Sequence, residues 1–231
     1  MADGAAEVCI CILFYGAEEQ HFKLAQRVLN EPMRCLAKRN IEFRFGCNAV
    51  GAATTDFLLC QIAEHFQNAT LFHSPENILK YPMMRRMFHE SPIRPPITMW
   101  FDHDSYLKPG IDVDDWLRRV VKHFDGCDMV GSVQKSKLTD DQVEWAKPQW
   151  WFTDSDKTYM SYAIGGWWAV KTDLLRRYDW PAEDFQQKGG DVVLGALLKH
   201  QERCLCHFRE GVHVNANEAG VEAAAARTIE S

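Results

Sequence analysis

Between Val8 and Val133 the sequence switches repeatedly between two hydrophobic periods, and this alternation restricts the possible folds more than any other feature. VCICILFY, from Val8, is a continuous apolar run of strand length. A stretch from Glu18 follows, with Phe22, Ala25, Val28 and Leu29 at helical spacing. Pro32 restarts a helix that carries Met33, Leu36 and Ala37 toward Asn40. IEFRFGC, Ile41 to Cys47, reads as a second strand, and Thr55-Asp56 is expected to cap a helix through Leu59, Ile62, Ala63 and Phe66. A third strand at Thr70-Leu71-Phe72 leads to a helix around Ile78 to Glu90. Pro92, Pro95 and Pro96 then forbid helix until the strand Ile97 to Phe101. Asp112 opens an amphipathic helix with Val113, Trp116, Leu117, Val120, Val121 and Phe124 on one stripe, and DMVGSV, from Asp128, is another strand.

Such alternation predicts an α/β fold, a mostly parallel sheet with helices on both faces. A chain of 231 residues is read as one domain over 1–217, with a first half at about 8–133, a second at about 134–217, and a frayed or disordered tail at 218–231. From Gln134 to Tyr162 the texture is polar, aromatic and weakly periodic, which predicts a long loop. A strand over Ala163 to Val170, helices from Thr172 and over Asp191 to His200, and strands in CLCHF and VHVN complete the reading.

A net charge of −6 supplies no global basic field for nucleic acid or anionic membrane. No run of 18 apolar residues exists, and Met1-Ala2-Asp3-Gly4 lacks the order of a signal peptide, so a cytoplasmic protein with no membrane partner is expected. The eight cysteines sit in apolar runs, as Cys9 with Cys11 and Cys204 with Cys206 do, and are read as reduced core thiols. Cys204, Cys206 and His207 would make a zinc trio, but C-x-C-H is not a usual ligand spacing.

The apolar strand at Ile97 runs straight into Asp102-His103-Asp104-Ser105. Buried carboxylates add nothing to a core, whereas ligands of parallel sheets sit beyond the carboxyl ends of the strands. Two carboxylates there are hard oxygen ligands suited to Mg²⁺ or Mn²⁺ holding a diphosphate. An isolated triplet of this kind is more often a turn cap beside a solvated acid.

Further segments set that triplet in a context. Asn77-Ile78-Leu79-Lys80 with Arg85-Arg86 precedes the strand, with Leu79 where glycine is usual; Gly165-Gly166-Trp167-Trp168-Ala169-Val170-Lys171 follows it; Gly190-Asp191-Val192-Val193-Leu194 opens a helix. In order and spacing the chain resembles the family 2 glycosyltransferases of GT-A fold over roughly residues 8 to 215. The resemblance implies a metal-dependent, inverting transfer of sugar from a nucleotide-sugar, a UDP-sugar by expectation, to an acceptor hydroxyl. It implies Asp102 and Asp104 on the metal with His213 as a further ligand, and Asp191 as general base. Tyr15, Gly16 and Asn48 would lie against the nucleoside, Asn48 replacing a usual aspartate. Lys80 and Arg85 would add positive charge near the phosphates. Gly166 lies on the acceptor-side strand, and Trp150, Trp151, Trp167 and Trp168 would stack on sugar or base rings if they are not core.

The segments around Tyr81 and Asp102 also resemble the phage-associated branch that glycosylates 5-hydroxymethylpyrimidines in DNA. A DNA acceptor would need Arg85, Arg86 and Arg94, or Arg118 and Arg119, against phosphates and the Trp150-Trp151 loop against a displaced base. A haloacid-dehalogenase-like phosphatase, with Asp102 as nucleophile, is the rival reading of D-x-D-S, although three strand-helix units precede Asp102 here. A nucleotidyltransferase would want a Gly-rich phosphate loop after Tyr15, where only Gly16 appears, and a non-catalytic carbohydrate-binding module has no use for Lys80 and Arg85 beside a metal.

Overall fold

The computed structural model describes residues 6–153, 159–185 and 189–214. The expected tail at 218–231 lies outside the described residues. The first half follows the alternation: β1 (Val8–Tyr15), α1 (Glu19–Val28), α2 (Glu31–Ala37), β2 (Ile41–Asn48), α3 (Ala52–Glu64), β3 (Ala69–Ser74), α4 (Lys80–His89) and β4 (Ile97–Asp102). Then come β5 (Tyr106–Leu107), α5 (Val113–His123), β6 (Met129–Ser136), α6 (Asp140–Ala146), β7 (Met160–Lys171), α7 (Thr172–Arg177), α8 (Gly190–His200), β8 (Leu205–His207) and β9 (Val212–His213).

A seven-stranded sheet runs β3-β2-β1-β4-β7-β6-β8, and β5 pairs with β9 in a small second sheet. β7 runs antiparallel to both its neighbours, while the other pairs of the large sheet are parallel. The continuous apolar runs are explained by burial of both sheet faces. Along β1, Cys9, Cys11 and Leu13 point into one core and Val8, Ile10, Ile12 and Phe14 into the other. Among the described residues no helix is long and apolar enough to cross a membrane.

Three local expectations are corrected. The third helix begins at Ala52 with Gly51 as its cap, and Thr55 lies inside it, its hydroxyl donating to the Gly51 carbonyl at 3.2 Å. The expected loop over 134–162 contains α6, whose Thr139 and Gln142 form a reciprocal capping box, and β7 has already begun at Met160. Cys206 is not a reduced thiol: it forms a disulfide with Cys127, their Cα atoms 6.1 Å apart, whereas Cys9, Cys11 and Cys47 are free and buried.

Asp128 ties the far edge of the sheet together, accepting hydrogen bonds from the Cys204 amide at 3.0 Å and the Lys171 ammonium at 3.1 Å. Burial pushes its pKa up, but those two donors and the nearby Arg203 charge prevail and hold it below the ordinary carboxylate value. A carboxyl whose folded pKa is depressed contributes stability above its unfolded pKa and loses it as pH falls through the folded value. Wild type should therefore lose its advantage over Asp128→Asn on acidification below about pH 4. Urea unfolding at pH 7 and pH 3 checks this, with a gap of about 1–3 kcal/mol expected at neutrality and a smaller one in acid.

Candidate functional site

The carboxyl ends of β1, β2 and β4 meet at a cavity of about 150 Å³ lined by Leu13, Tyr15, Asn48, Lys80, Asp102, His103 and Asp104. Asp102 is the last residue of β4 and pairs in register with Leu13 of β1. Each of its oxygens is held: the Trp100 indole donates to Oδ1 at 2.9 Å and the Lys80 ammonium to Oδ2 at 2.7 Å. The Lys80 Nζ also donates to the Gly165 carbonyl at 3.3 Å.

Lys80 reaches this position because the loop before it is clamped. Asn48, 1 % exposed, accepts from the Ile78 amide at 2.9 Å and donates to Asn77 Oδ1 at 3.1 Å and to the Leu79 carbonyl at 3.2 Å. Leu79 takes φ +71°, a left-handed value that glycine adopts freely and that costs a leucine about 1–3 kcal/mol. Asn48 thus organises the loop that delivers Lys80.

Asp191 enters from the opposite side, in the first turn of α8, where a carboxylate is favoured by the helix dipole. The Tyr81 hydroxyl donates to Asp191 Oδ1 at 3.2 Å and accepts from the Asp191 amide at 3.1 Å. Gly165 admits this carboxylate: a Cβ there would collide with Asp191 Oδ2. A Cβ on Gly166 would lie 2.5 Å from both Ser105 Oγ and Val214 Cγ1, so that glycine lets β7 pass the D-x-D turn.

Charge is unevenly shared. Asp104 is pushed up to about 6 by burial and by the Asp102 charge, against the pull of Lys80 and the Ser105 hydroxyl. Burial and Asp102 likewise raise Asp191, with Lys80 and Tyr81 opposing. Burial works against the Lys80 charge, but Asp102, Asp191 and Asp104 outweigh it and hold its pKa above the ordinary lysine value. Three carboxylates therefore act on one half-buried ammonium. His103 is pushed down to about 4 by burial, despite the Asp102 charge, and its Nδ1 accepts from the Tyr15 amide at 3.0 Å. The Tyr15 and His103 rings stack 6.2 Å apart, leaving Tyr15 partly exposed at the rim. Gly16, at φ +86°, turns the chain beside His21.

Of the residues singled out in the sequence, Tyr15, Asn48, Lys80, Asp102 and Asp104 meet at the cavity, and Asp191 joins them through Lys80 and Gly165. His213 arrives close by, since β9 pairs Tyr106 with His213 and their rings stack at 4.8 Å, but it does not line the cavity. Arg85 is not brought there: it pairs with Asp179 at 3.0 Å and donates to the Pro181 carbonyl at 2.8 Å. Trp167 and Trp168 are 0 % exposed and point into opposite cores, Trp168 stacked on Trp100 at 6.2 Å. Trp151 is buried against His200 at the last turn of α8, about 14 Å along the helix from Asp191. Trp150 is 69 % exposed and stacks on Tyr178. Arg86 pairs with Glu90, Arg118 with Asp115 and Arg119 with Glu210. Tyr81, Trp100 and His103 were missed as site residues, although Tyr81 and His103 each adjoin a residue that was flagged and Trp100 lies two positions before Asp102.

No family model matches the chain, and no curated protein matches it in sequence. Solved structures share its fold. A mannosyltransferase from Pyrobaculum calidifontis, in complex with GDP-Man and Mn²⁺, superposes with a TM-score of 0.59 at 15% identity, covering 90% of this chain and 56% of its own. Residues 1–349 of TarS from S. aureus give 0.53 at 10% identity, covering 88% of this chain and 58% of that one. A 4-diphosphocytidyl-2C-methyl-D-erythritol synthase from Anaerococcus prevotii gives 0.50 at 13% identity, with 96% and 98% covered. The fold is the GT-A type, and the chain spans little more than half the length of the two glycosyltransferases.

The Tyr81–Asp191 contact predicts energetic coupling. Tyr81→Phe should cost about 1–3 kcal/mol, since the buried Asp191 amide and carboxylate both lose a partner. Denaturant unfolding of Tyr81→Phe, Asp191→Asn and the double variant should give a coupling of about 0.5–3 kcal/mol, and strict additivity would contradict the contact.

Proposed function

We propose that the chain is a metal-dependent transferase that moves a sugar from a nucleotide-sugar, a UDP-sugar by preference, onto an acceptor hydroxyl with inversion. The observation that carries this reading is the convergence of Asp102, Asp104 and Lys80 in one cleft at the carboxyl edge of a GT-A sheet, with Asp191 beside it against Gly165. A structure of that fold type holds GDP-Man and Mn²⁺.

The donor set fits a hard divalent cation: Asp102 and Asp104 offer carboxylate oxygens, and Mg²⁺ or Mn²⁺ is commonly held by one or two carboxylates together with substrate phosphates. Asp104, with Asp102 beside it, would hold the ion, which when bound neutralises the leaving diphosphate. Lys80 contributes a fixed positive charge facing the same group. Tyr15 and His103 form an aromatic rim against which the nucleoside rests. Asp191 takes the proton of the acceptor hydroxyl as the new glycosidic bond forms. Burial raises its pKa above the ordinary carboxylate value, which makes it a stronger base, and Tyr81 fixes its carboxylate. His213 is a further candidate ligand, and Gly166 shapes the acceptor side.

The rival phosphatase reading is not favoured, because it needs its nucleophile on the first core strand, whereas Asp102 ends β4 after three strand-helix units. A hydroxymethylpyrimidine in DNA belongs among the acceptors to be tested, though paired arginines and a distant Trp150-Trp151 segment add nothing in its favour.

Calorimetry of a UDP-sugar panel with and without Mn²⁺ tests the donor site; binding that needs no metal and survives Asp104→Ala would overturn it. Asp191→Asn should keep donor affinity and lower turnover by about 10²–10⁴-fold. Mass spectrometry of free sugars, peptides and hydroxymethylcytosine-containing DNA incubated with the enzyme identifies the acceptor, and release of pyrophosphate instead of nucleoside diphosphate would mark a nucleotidyltransferase.

A further inference from the structure

A second cluster of ligating groups lies at the opposite edge of the sheet. His123, the last residue of α5, Cys127, four residues on, and Cys206 in β8 bring one ligand atom each within 4.8 Å of the others. Cys204 Sγ adds a fourth group, 3.8 Å from Cys206 Sγ. Two thiolates bound to one zinc ion at about 2.3 Å with tetrahedral angles lie about 3.8 Å apart, the separation the Cys204–Cys206 pair already has. Backbone contacts hold the parts in place: the Cys204 carbonyl accepts from the Asp128 and Met129 amides at 2.8 and 3.1 Å, and β8 pairs with β6 in parallel register, Val130 opposite Cys206. His207 belongs elsewhere, its Nδ1 accepting from the Val133 amide at 3.1 Å.

We propose that His123, Cys127 and Cys206, with Cys204 as the fourth ligand, form a zinc-class metal site when the Cys127–Cys206 disulfide is reduced. A dithiol reductant supplies two electrons and two protons, leaving two thiols and its own disulfide. Zinc then displaces the thiol protons to solvent and takes a neutral imidazole nitrogen from His123. Sulfur and imidazole donors select a soft or borderline ion, so this site and the carboxylate cleft divide metals by ligand type. The ion replaces the disulfide as the link between the α5–β6 corner and β8, a three-residue strand that lies at the edge of the sheet.

Cobalt titration of the full chain, reduced with excess dithiothreitol and freed of it anaerobically, tests the proposal. Expected is one Co²⁺ per chain with a thiolate-to-cobalt charge-transfer band and the strong visible bands of tetrahedral cobalt, displaced by Zn²⁺ and retained in Asp102→Asn/Asp104→Asn. Cys127→Ser/Cys206→Ser should abolish the band. His123→Ala, whose half-buried position spares the core, should keep charge transfer while weakening affinity at least about tenfold, since even outer-shell partners are worth that much. A reduced wild type that gives no charge-transfer band, or a band that persists in Cys127→Ser/Cys206→Ser, overturns the site.

Discussion

The Lys80–Asp102 ion pair is the contact on which the cleft depends. An unpaired carboxylate at the end of a buried strand would cost several kcal/mol, and here three carboxylates crowd one corner of the sheet. The ammonium lies 2.7 Å from Asp102 and is held in its charged form by Asp191 and Asp104 as well. Its placement comes from outside the cleft, from the Asn48 clamp and the left-handed turn at Leu79. Removing the clamp would leave the helix intact but let its first residue swing, so the charge balance of the cleft is controlled from β2.

Much of this was legible. Strand β1 is buried on both faces and apolar along its length, so strand length alone separated it from helix, whereas β2 was legible from the alternation of Glu42 and Arg44 with Ile41, Phe43 and Phe45. The triplet could be placed because a parallel sheet sends its ligands to strand ends. The tryptophans could not be sorted, because an indole that stacks on a ring in a cleft and one that fills a core look alike in sequence. Trp167 and Trp168 alternate into opposite cores across an antiparallel pairing with Phe101 and Trp100, which periodicity of one strand does not reveal. Arg85 illustrates the same limit for charge: its partner, Asp179, lies 94 residues away. The segment from Gln134 read as loop because its helix is only seven residues long, although Thr139-x-x-Gln142 carried a capping-box signature. Cys206 read as a core thiol because its partner lies 79 positions earlier in the chain.

Tyr81 shows why a site built from flagged residues remained incomplete. Its hydroxyl bonds to Asp191, 110 residues on, and its ring is fully buried, so in sequence it is one more aromatic on the apolar face of α4. Only the approach of two helix N-termini, those of α4 and α8, makes it a positioning residue.

That approach depends on the reversed strand. Because β7 runs against β4, its first half lies at the carboxyl edge of the sheet, where a parallel strand would have placed its last residues. Gly165 and Gly166 therefore stand between the D-x-D turn and the start of α8, and both are tight: one would strike Asp191, the other Ser105 and Val214, if it carried a Cβ. A glycine pair in a strand interior weakens the sheet, since it forgoes side-chain packing and gains backbone freedom in the unfolded chain. Here the loss is offset at the neighbouring positions, where Trp167 and Trp168 fill both cores. The GGWW sequence is thus one device, two residues that let the Asp191 carboxylate and the D-x-D turn approach the strand and two that anchor the strand against the slackness this creates.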